Sequence, residues 1–337
     1  MSAIEILEAG PYTSVQDRGR FGGQRYGLGP AGAMDVLSLA VANALVGNAP
    51  ERAAIEIGPL PVKFRVVIGQ VRMALGGAER GVSVQGRALA PLETALLTEG
   101  DVVQIRGCSV GVFSYLAFEG GIRAEPVFGS LSMHARSGIG SPYPRGLQAG
   151  DRIELGDAGA WNAERNIRLP QRAAGPLRVV LGPQDDHFSA ETIADFLKAD
   201  WVISKTSDRM GFRLEGPTLA HAKGHNIISD GIANGAIQIP GNGQPLVLLA
   251  DRGTTGGYPK IATIISADLG RLAQTPVGAK IRFSQVTIEA AQAEARAMHG
   301  QMQHLRDHVH EIGGGDLSSE FLLGANLAGS ATGALDD

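Results

Sequence analysis

With one cysteine, Cys108, the chain has no internal disulfide framework, and the short apolar setting of that residue reads as a packed thiol. Charged residues are scarce at 19%, the net charge is −4 and no Lys/Arg-rich run occurs, which argues against nucleic acid as the main partner. No apolar run reaches the roughly 18 residues of a transmembrane helix. The opening MSAIEILEAG lacks the basic segment and apolar stretch of an export signal, so a cytoplasmic setting is expected. Missing motifs narrow the chemistry further. Gly253-Thr254-Thr255-Gly256-Gly257-Tyr258 does not have Walker spacing, and neither a Gly-x-Ser-x-Gly elbow nor a His-Glu-x-x-His pattern occurs. The residues alone therefore show no nucleotide P-loop and no hydrolase serine, and no metal site is expected.

Apolar residues and glycine are abundant. At 44% apolar, 337 residues suffice for two core-forming domains or one large all-β unit. The 47 glycines and 17 prolines fall between short apolar runs without a collagen-like period, which predicts many turns and short strands. Strand-like runs occur at 4–7, 54–57, 62–68, 71–75, 94–97, 102–105, 112–118 and 151–155, and 14–22 reads as a loop. Asp35 before the run 36–46 and Gly47 after it bracket a short, largely buried helix. Residues 120–150 are rich in Gly, Ser and Pro and read as functional or connecting loops, and 157–174 reads as a linker.

Strands follow at 177–181, 202–204, 236–239, 246–250, 261–266 and 280–283, with Ser189 and Glu191 opening a helix to about residue 198. The expected organisation is mainly β: an N-terminal β-rich lobe over 1–165, a C-terminal one over 175–287, and a helix and tail over 288–337. The helix, 288–312, carries His304 and His308 four apart, which reads as a solvated face ahead of a metal pair. The tail is polar and Gly-rich except for Phe321-Leu322-Leu323, a patch suited to docking on a partner or on its own lobe. A faint repeat runs through both lobes: Asp17-Arg18 recurs as Asp208-Arg209, Ala54-Ile55-Glu56-Ile57 as Ala236-Ile237-Gln238-Ile239, and Gly100-Asp101 as Gly278-Ala279. A pseudo-symmetric pair places its ligand cleft between the lobes.

The candidate site centres on the stretch from Ser229 to Lys260. After an apolar strand come Asp251-Arg252-Gly253-Thr254-Thr255-Gly256-Gly257-Tyr258-Pro259, whose glycine amides and threonine hydroxyls could hold a carboxylate, a phosphate or an enolised amide oxygen. The alternative is a hairpin with solvated threonines. Gln16-Asp17-Arg18 and Ser207-Asp208-Arg209 set an acid beside a guanidinium, suited either to orienting a polar cyclic substrate or to knitting loops together. Lys205 could balance phosphate charge or lie free on the surface. Asn43 and Asn48 read as capping and turn residues, and Glu56 as a solvent-side strand residue or an acid facing a cleft. Asp185-Asp186-His187 reads as a helix cap more than a divalent-ion site.

Six stretches in order, Ser14-Val15-Gln16-Asp17-Arg18-Gly19-Arg20, Gly32-Ala33-Met34-Asp35, Ala42-Asn43-Ala44-Leu45-Val46-Gly47-Asn48, Ser207-Asp208-Arg209-Met210-Gly211, Gly235-Ala236-Ile237-Gln238-Ile239-Pro240 and Thr254-Thr255-Gly256-Gly257-Tyr258-Pro259, resemble the allophanate hydrolase subunit 2 family. Its members are also called biotin-dependent carboxyltransferase family proteins, KipI antagonists and C-type subunits of 5-oxoprolinase, and the resemblance covers 4–283. It implies two cyclophilin-like β-barrel lobes and a B-type (KipI-like, or allophanate hydrolase subunit 1-like) partner, joined in 5-oxoprolinase by an A-type partner. That system opens 5-oxo-L-proline to L-glutamate using ATP with Mg, the B and C subunits activating the lactam by phosphorylation. In that chemistry Lys205, Asp208, Thr254 and Thr255 are the candidate catalytic residues. Gln16, Asp17, Arg18, Arg209, Gln238, Gly256, Gly257 and Tyr258 are the candidate substrate-binding residues, with Arg18 or Arg209 on the carboxylate. The alternatives are a carboxyltransferase subunit served by biotin, which would need a separate carrier because no Met-Lys-Met motif occurs, and a non-enzymatic KipI-antagonist binding protein.

Overall fold

The computed structural model describes residues 2–157, 159, 163–169 and 173–312. The chain is mainly β, built on two large sheets. In the first, the strands run in the order Ser14–Gln16, Ala54–Ile57, Val102–Phe118, Val62–Ile68, Ser2–Ala9 and Arg152–Leu155, and Gln70–Val84 also pairs with Val102–Phe118. The 15- and 17-residue strands replace shorter runs expected from the sequence. Gly77 and Gly111 take positive φ inside them, and the register between the two strands shifts between Gly77 and Val82. Glycine here bends a continuing strand through bulges instead of ending it. Ser14–Gln16, expected as loop, is a fully buried strand paired with Ala54–Ile57.

In the second sheet the order is Lys280–Ile281, Trp201–Ile203, Gly211–Glu215, Leu246–Leu248, Ala236–Gln238, Lys260–Ile264, Leu177–Leu181 and Phe283–Gln285. Its two outermost strands are separated in the chain only by Arg282, so one bent segment nearly closes the sheet into a barrel. The first sheet stays open as a half-barrel.

Helix α1, Val36–Leu45, joins the two. Asp35 caps it, accepting from the Ser38 amide at 3.2 Å and the Ser38 hydroxyl at 2.7 Å. Eight of its ten residues are buried, because one apolar cluster wraps it with Ala74, Tyr115 and Ala117 of the first lobe and Ile203, Phe212, Leu249 and Ile264 of the second. A helix apolar all round has to be buried all round, and burying a side chain such as Leu39 or Leu45 contributes about 1.5–3 kcal/mol. Asn43 and Asn48 fasten the helix end as read: Asn48 Nδ2 donates to Asn43 Oδ1 at 3.0 Å and to the Phe118 carbonyl at 2.8 Å. Gln274 of the second lobe donates to Asp35 at 2.9 Å and accepts from the amides of Val112 and Phe113 at 2.9 and 3.1 Å.

Helix α2, Ala190–Lys198, starts at its Ser189 cap as expected. Helix α3, Ser266–Ala273, was not expected, since it has no side-chain N-cap and carries Gly270 in its interior. Helix α4, Ile288–Gln303, stops short of the predicted 312: a 3₁₀ turn over Leu305–His308 leads into the strand Val309–Glu311, which pairs with Arg165–Ile167. His304 and His308 therefore do not share a helix face, and His304 Nδ1 lies 3.1 Å from Asp307. Among the described residues no cluster of three potential metal ligands occurs, and no helix is long and apolar enough to cross a membrane. The Phe321-Leu322-Leu323 patch and part of the 157–174 linker lie outside the described residues.

Candidate active site in the seam between the lobes

Glu56, read as either solvent-side or cleft-facing, lies in the strand Ala54–Ile57 and is fully buried. Its carboxylate accepts from the Met34 amide at 2.9 Å, from the Tyr115 hydroxyl at 2.7 Å, and from Arg209 of the opposite lobe. The Arg209 guanidinium also holds Asp251 in a fork at 3.0 and 2.9 Å and donates to the Gly32 carbonyl at 2.8 Å. Burial works against its charge, but Glu56 and Asp251 on either side raise it above its ordinary value. Each of its three nitrogens is engaged, so Arg209 acts as an ionic clamp between the lobes.

The second Asp-Arg pair is built differently. Asp17 accepts from the Gly19 amide at 2.7 Å, from the hydroxyls of Ser130 and Ser132 at 2.6 Å each, and from the Leu131 amide at 2.7 Å. Asp208 repeats the local turn, accepting from the Met210 amide at 2.8 Å. Both acids thus knit their loops together, one of the two roles left open for the Asp-Arg pairs. Arg18 is exposed, with its guanidinium 5.9 Å from the Phe21 ring centre.

On the second lobe, Thr255–Gly256 pairs with Asp230–Gly231 as a small ribbon. Lys260, buried in its strand, pins this ribbon through Asp230 at 2.9 Å. The glycines of the loop differ from expectation: none of Gly253, Gly256 and Gly257 takes positive φ, so they do not form the curled amide nest of a phosphate loop. A Cβ on Gly256 would lie 2.5 Å from Gln238 Nε2 and 2.8 Å from Ile232 Cδ1, the tips of two side chains that pack over it. Gln238 Nε2 donates to the Tyr258 carbonyl at 3.4 Å. Across the seam, Gln24 donates to the carbonyls of Ile232 and Thr254 at 3.0 and 3.2 Å, tying the loop after Arg20 to this ribbon.

A carboxyltransferase domain model, subdomain A and B, matches residues 26–285. The chain belongs to that family. It is 35% identical over 309 residues to the C subunit of 5-oxoprolinase from Escherichia coli, covering 91% of this chain and 99% of the relative, and 32% identical over 311 residues to the subunit of the same name from Haemophilus influenzae, covering 91% and 99%. Among solved structures, the K. lactis urea amidolyase superposes with a TM-score of 0.84 at 26% identity, over 94% of this chain but 20% of that one. The family's members thus include both free-standing subunits and segments of much longer chains.

Against this family background, Gln16, Asp17, Arg209, Gln238, Thr254, Gly256 and Tyr258 belong to one chain of bonded loops running across the seam. Thr255 and Tyr258 are exposed on its outer face. Lys205 is exposed at the turn that precedes Asp208, and no bond joins it to this network among the described residues. Two seam residues were missed by sequence reading, Arg20 and His134, and Asp251 was read only as part of its loop. Arg20 sits inside the quoted motif two residues beyond Arg18, so the signal was present; His134 is a lone histidine in a Gly/Ser-rich loop and carried none. Burial lowers both the Arg20 guanidinium and the His134 imidazole from their ordinary values, the pull of Asp251 on each notwithstanding. A separate cavity of about 1230 Å³ opens between the lobes beside α1, lined by residues such as Val36, Leu92, Arg178 and Met298, and none of the predicted site residues lines it.

Proposed function

We propose that this chain is the C-type subunit of an ATP-dependent 5-oxoprolinase, a cytoplasmic complex that opens 5-oxo-L-proline to L-glutamate with a B-type (KipI-like) and an A-type partner. The observation that carries this reading is the match to the E. coli protein, which spans 91% of this chain and 99% of that one, against a fifth of the K. lactis chain. The seam supplies suitable chemistry. A lactam is a poor electrophile, and donors aimed at its oxygen stabilise the negative charge that grows there as the ring opens. In this reading Thr254 and Thr255 bring hydroxyl donors from the edge of the second lobe, beside Gln238, Gly256, Gly257 and Tyr258, and Gln16, Asp17 and Arg18 come from the first lobe. Arg209 positions Asp251 beside them, Asp208 fixes the turn that delivers Arg209, and Lys205 at that turn is free to meet charge brought by a partner. ATP with Mg is assigned to the complex as a whole; among the described residues the 253–257 loop does not have the curled glycine nest of a phosphate loop.

The K. lactis superposition favours a second reading, a carboxyltransferase subunit moving carboxylate from carboxybiotin on a separate carrier to a urea-like nitrogen. The test is glutamate release from 5-oxo-L-proline by this chain with its B- and A-type partners, ATP and avidin. Release that requires all the subunits and ignores avidin supports the first reading. Loss on adding avidin, with turnover on urea-like acceptors, supports the second. Tight binding of the B-type partner with no turnover of either kind supports a KipI-antagonist role instead.

A further inference from the structure

Residues 17–20 and 30–33 lie side by side, with Ala33 N donating to Asp17 O at 2.9 Å and Arg20 N to Pro30 O at 2.9 Å. Gly19 and Gly32 both take positive φ at this neck, and a Cβ on Gly32 would lie 2.7 Å from the Arg18 carbonyl, so only glycine permits the pinch. Residues 21–29 therefore leave and return at one point as a compact loop. Phe21 and Tyr26 on it are exposed, and its side-chain hold on the second lobe is Gln24.

Four buried polar side-chain atoms have no partner among the described residues: Thr13 Oγ1, Gln16 Oε1, Arg20 Nη1 and His134 Nε2, the last of them against the end of this loop. The side chains of Gln16, Arg20 and His134 share one anchoring segment. Gln16 Nε2 donates to the Met133 carbonyl at 3.0 Å, Arg20 Nη2 donates to the Ser132 carbonyl, and His134 follows directly. All three residues are at most 4% exposed. His134 Nδ1 accepts from the Ser137 amide at 3.2 Å, which places the proton of the neutral ring on Nε2. A Cβ on Gly29, at the end of the loop, would lie 3.0 Å from that Nε2 and 3.2 Å from the Arg252 carbonyl, so the loop seals the place where the two lobes meet. Buried polar groups without partners are rare and destabilising, and where they persist a water, an ion or a ligand completes them.

We infer that Gln16, Arg20 and His134 form a ligand site under the 21–29 loop, a lid that opens to admit a small cyclic cis-amide. The inference rests on the 5-oxoprolinase reading for the identity of that amide. The ring edge of a lactam offers one N–H donor beside one carbonyl acceptor, and a carboxylate adds further acceptors. Gln16 Oε1 takes the N–H, while His134 Nε2–H and the free Arg20 N–H groups take the carbonyl and the carboxylate.

The test is equilibrium titration of the full chain, alone and assembled with its partners, using 5-oxo-L-proline and L-proline, which keeps the carboxylate but lacks the lactam edge. L-proline is expected to bind at least tenfold more weakly. Arg20→Lys and His134→Gln should each weaken 5-oxo-L-proline binding at least tenfold, and Gln24→Ala should change its on- and off-rates; the last substitution lies in the loop and decides the lid even if a buried variant misfolds. Equal binding by wild type and all folded variants, or no binding to chain or complex, overturns the site. Glutamate release with a KM unmoved by these substitutions removes the site and leaves the oxoprolinase reading standing. Variant-sensitive binding without any glutamate removes that reading and leaves the site.

Discussion

Arg209 shows how a residue type suited to substrate binding can be committed elsewhere. Its fork is divided between two acids from different lobes, and removing one member of such a buried set leaves charges without partners. Arg209→Ala should therefore lose about 3–5 kcal/mol of stability in denaturant unfolding; a loss under about 1 kcal/mol would show that the clamp is not what joins the lobes. His134 makes a prediction in pH. Burial holds its imidazole below the ordinary value, so the unfolded chain takes up a proton there that the folded protein resists. The stability tied to this group is whole above the unfolded value of about 6.5 and is lost as pH falls below it. Between pH 7.5 and 5.5 the urea midpoint of the wild type should therefore fall further than that of His134→Gln. Equal falls would mean that His134 is not held neutral by its surroundings.

At the level of elements, α1 carries the architecture, and Gly76 sets how close it lies to the first sheet. A Cβ on Gly76 would lie 2.8 Å from the Ser38 carbonyl and 3.0 Å from the Ala42 amide, both main-chain atoms that cannot swing away. Gly76→Ala should cost about 1–3 kcal/mol by forcing the helix outward, measurable as a lowered Tm; an unchanged Tm would show slack at this contact. The helix itself was legible, because Asp35 and Gly47 bracket an unbroken apolar run. The strand Ala54–Ile57 and the Ser189 cap were legible for similar reasons of local pattern. What stayed hidden depended on distant partners. The long strands Gln70–Val84 and Val102–Phe118 continue through glycines that local pattern reads as breaks, and α3 forms without a capping side chain because tertiary contacts hold Asp268 through Arg178 at 2.8 Å. The site was half legible for the same reason. The motif glycines and the Asp-Arg pairs stand out in sequence, but whether an arginine faces a ligand or another lobe is settled by residues more than a hundred positions away, as Glu56 settles it for Arg209.

At the level of the whole molecule, two lobes share one apolar cluster around α1 and are tied on one side by Gln274 and on the other by Arg209. That arrangement makes the seam a fixed frame that carries the 21–29 loop and the 255–258 edge. It also leaves Phe21, Tyr26, Phe128, Ile228 and Tyr258 exposed on the loops around that seam, so a partner that covers them would bury the site's outer rim. The proposed function makes the chain one required subunit of a 5-oxoprolinase. The most direct test measures ATP-driven L-glutamate formation from 5-oxo-L-proline by the B- and A-type partners with and without this chain. Glutamate is expected only when this chain is present, and at a rate indifferent to avidin. Equal formation without it, or none with the full set of partners, would contradict the claim.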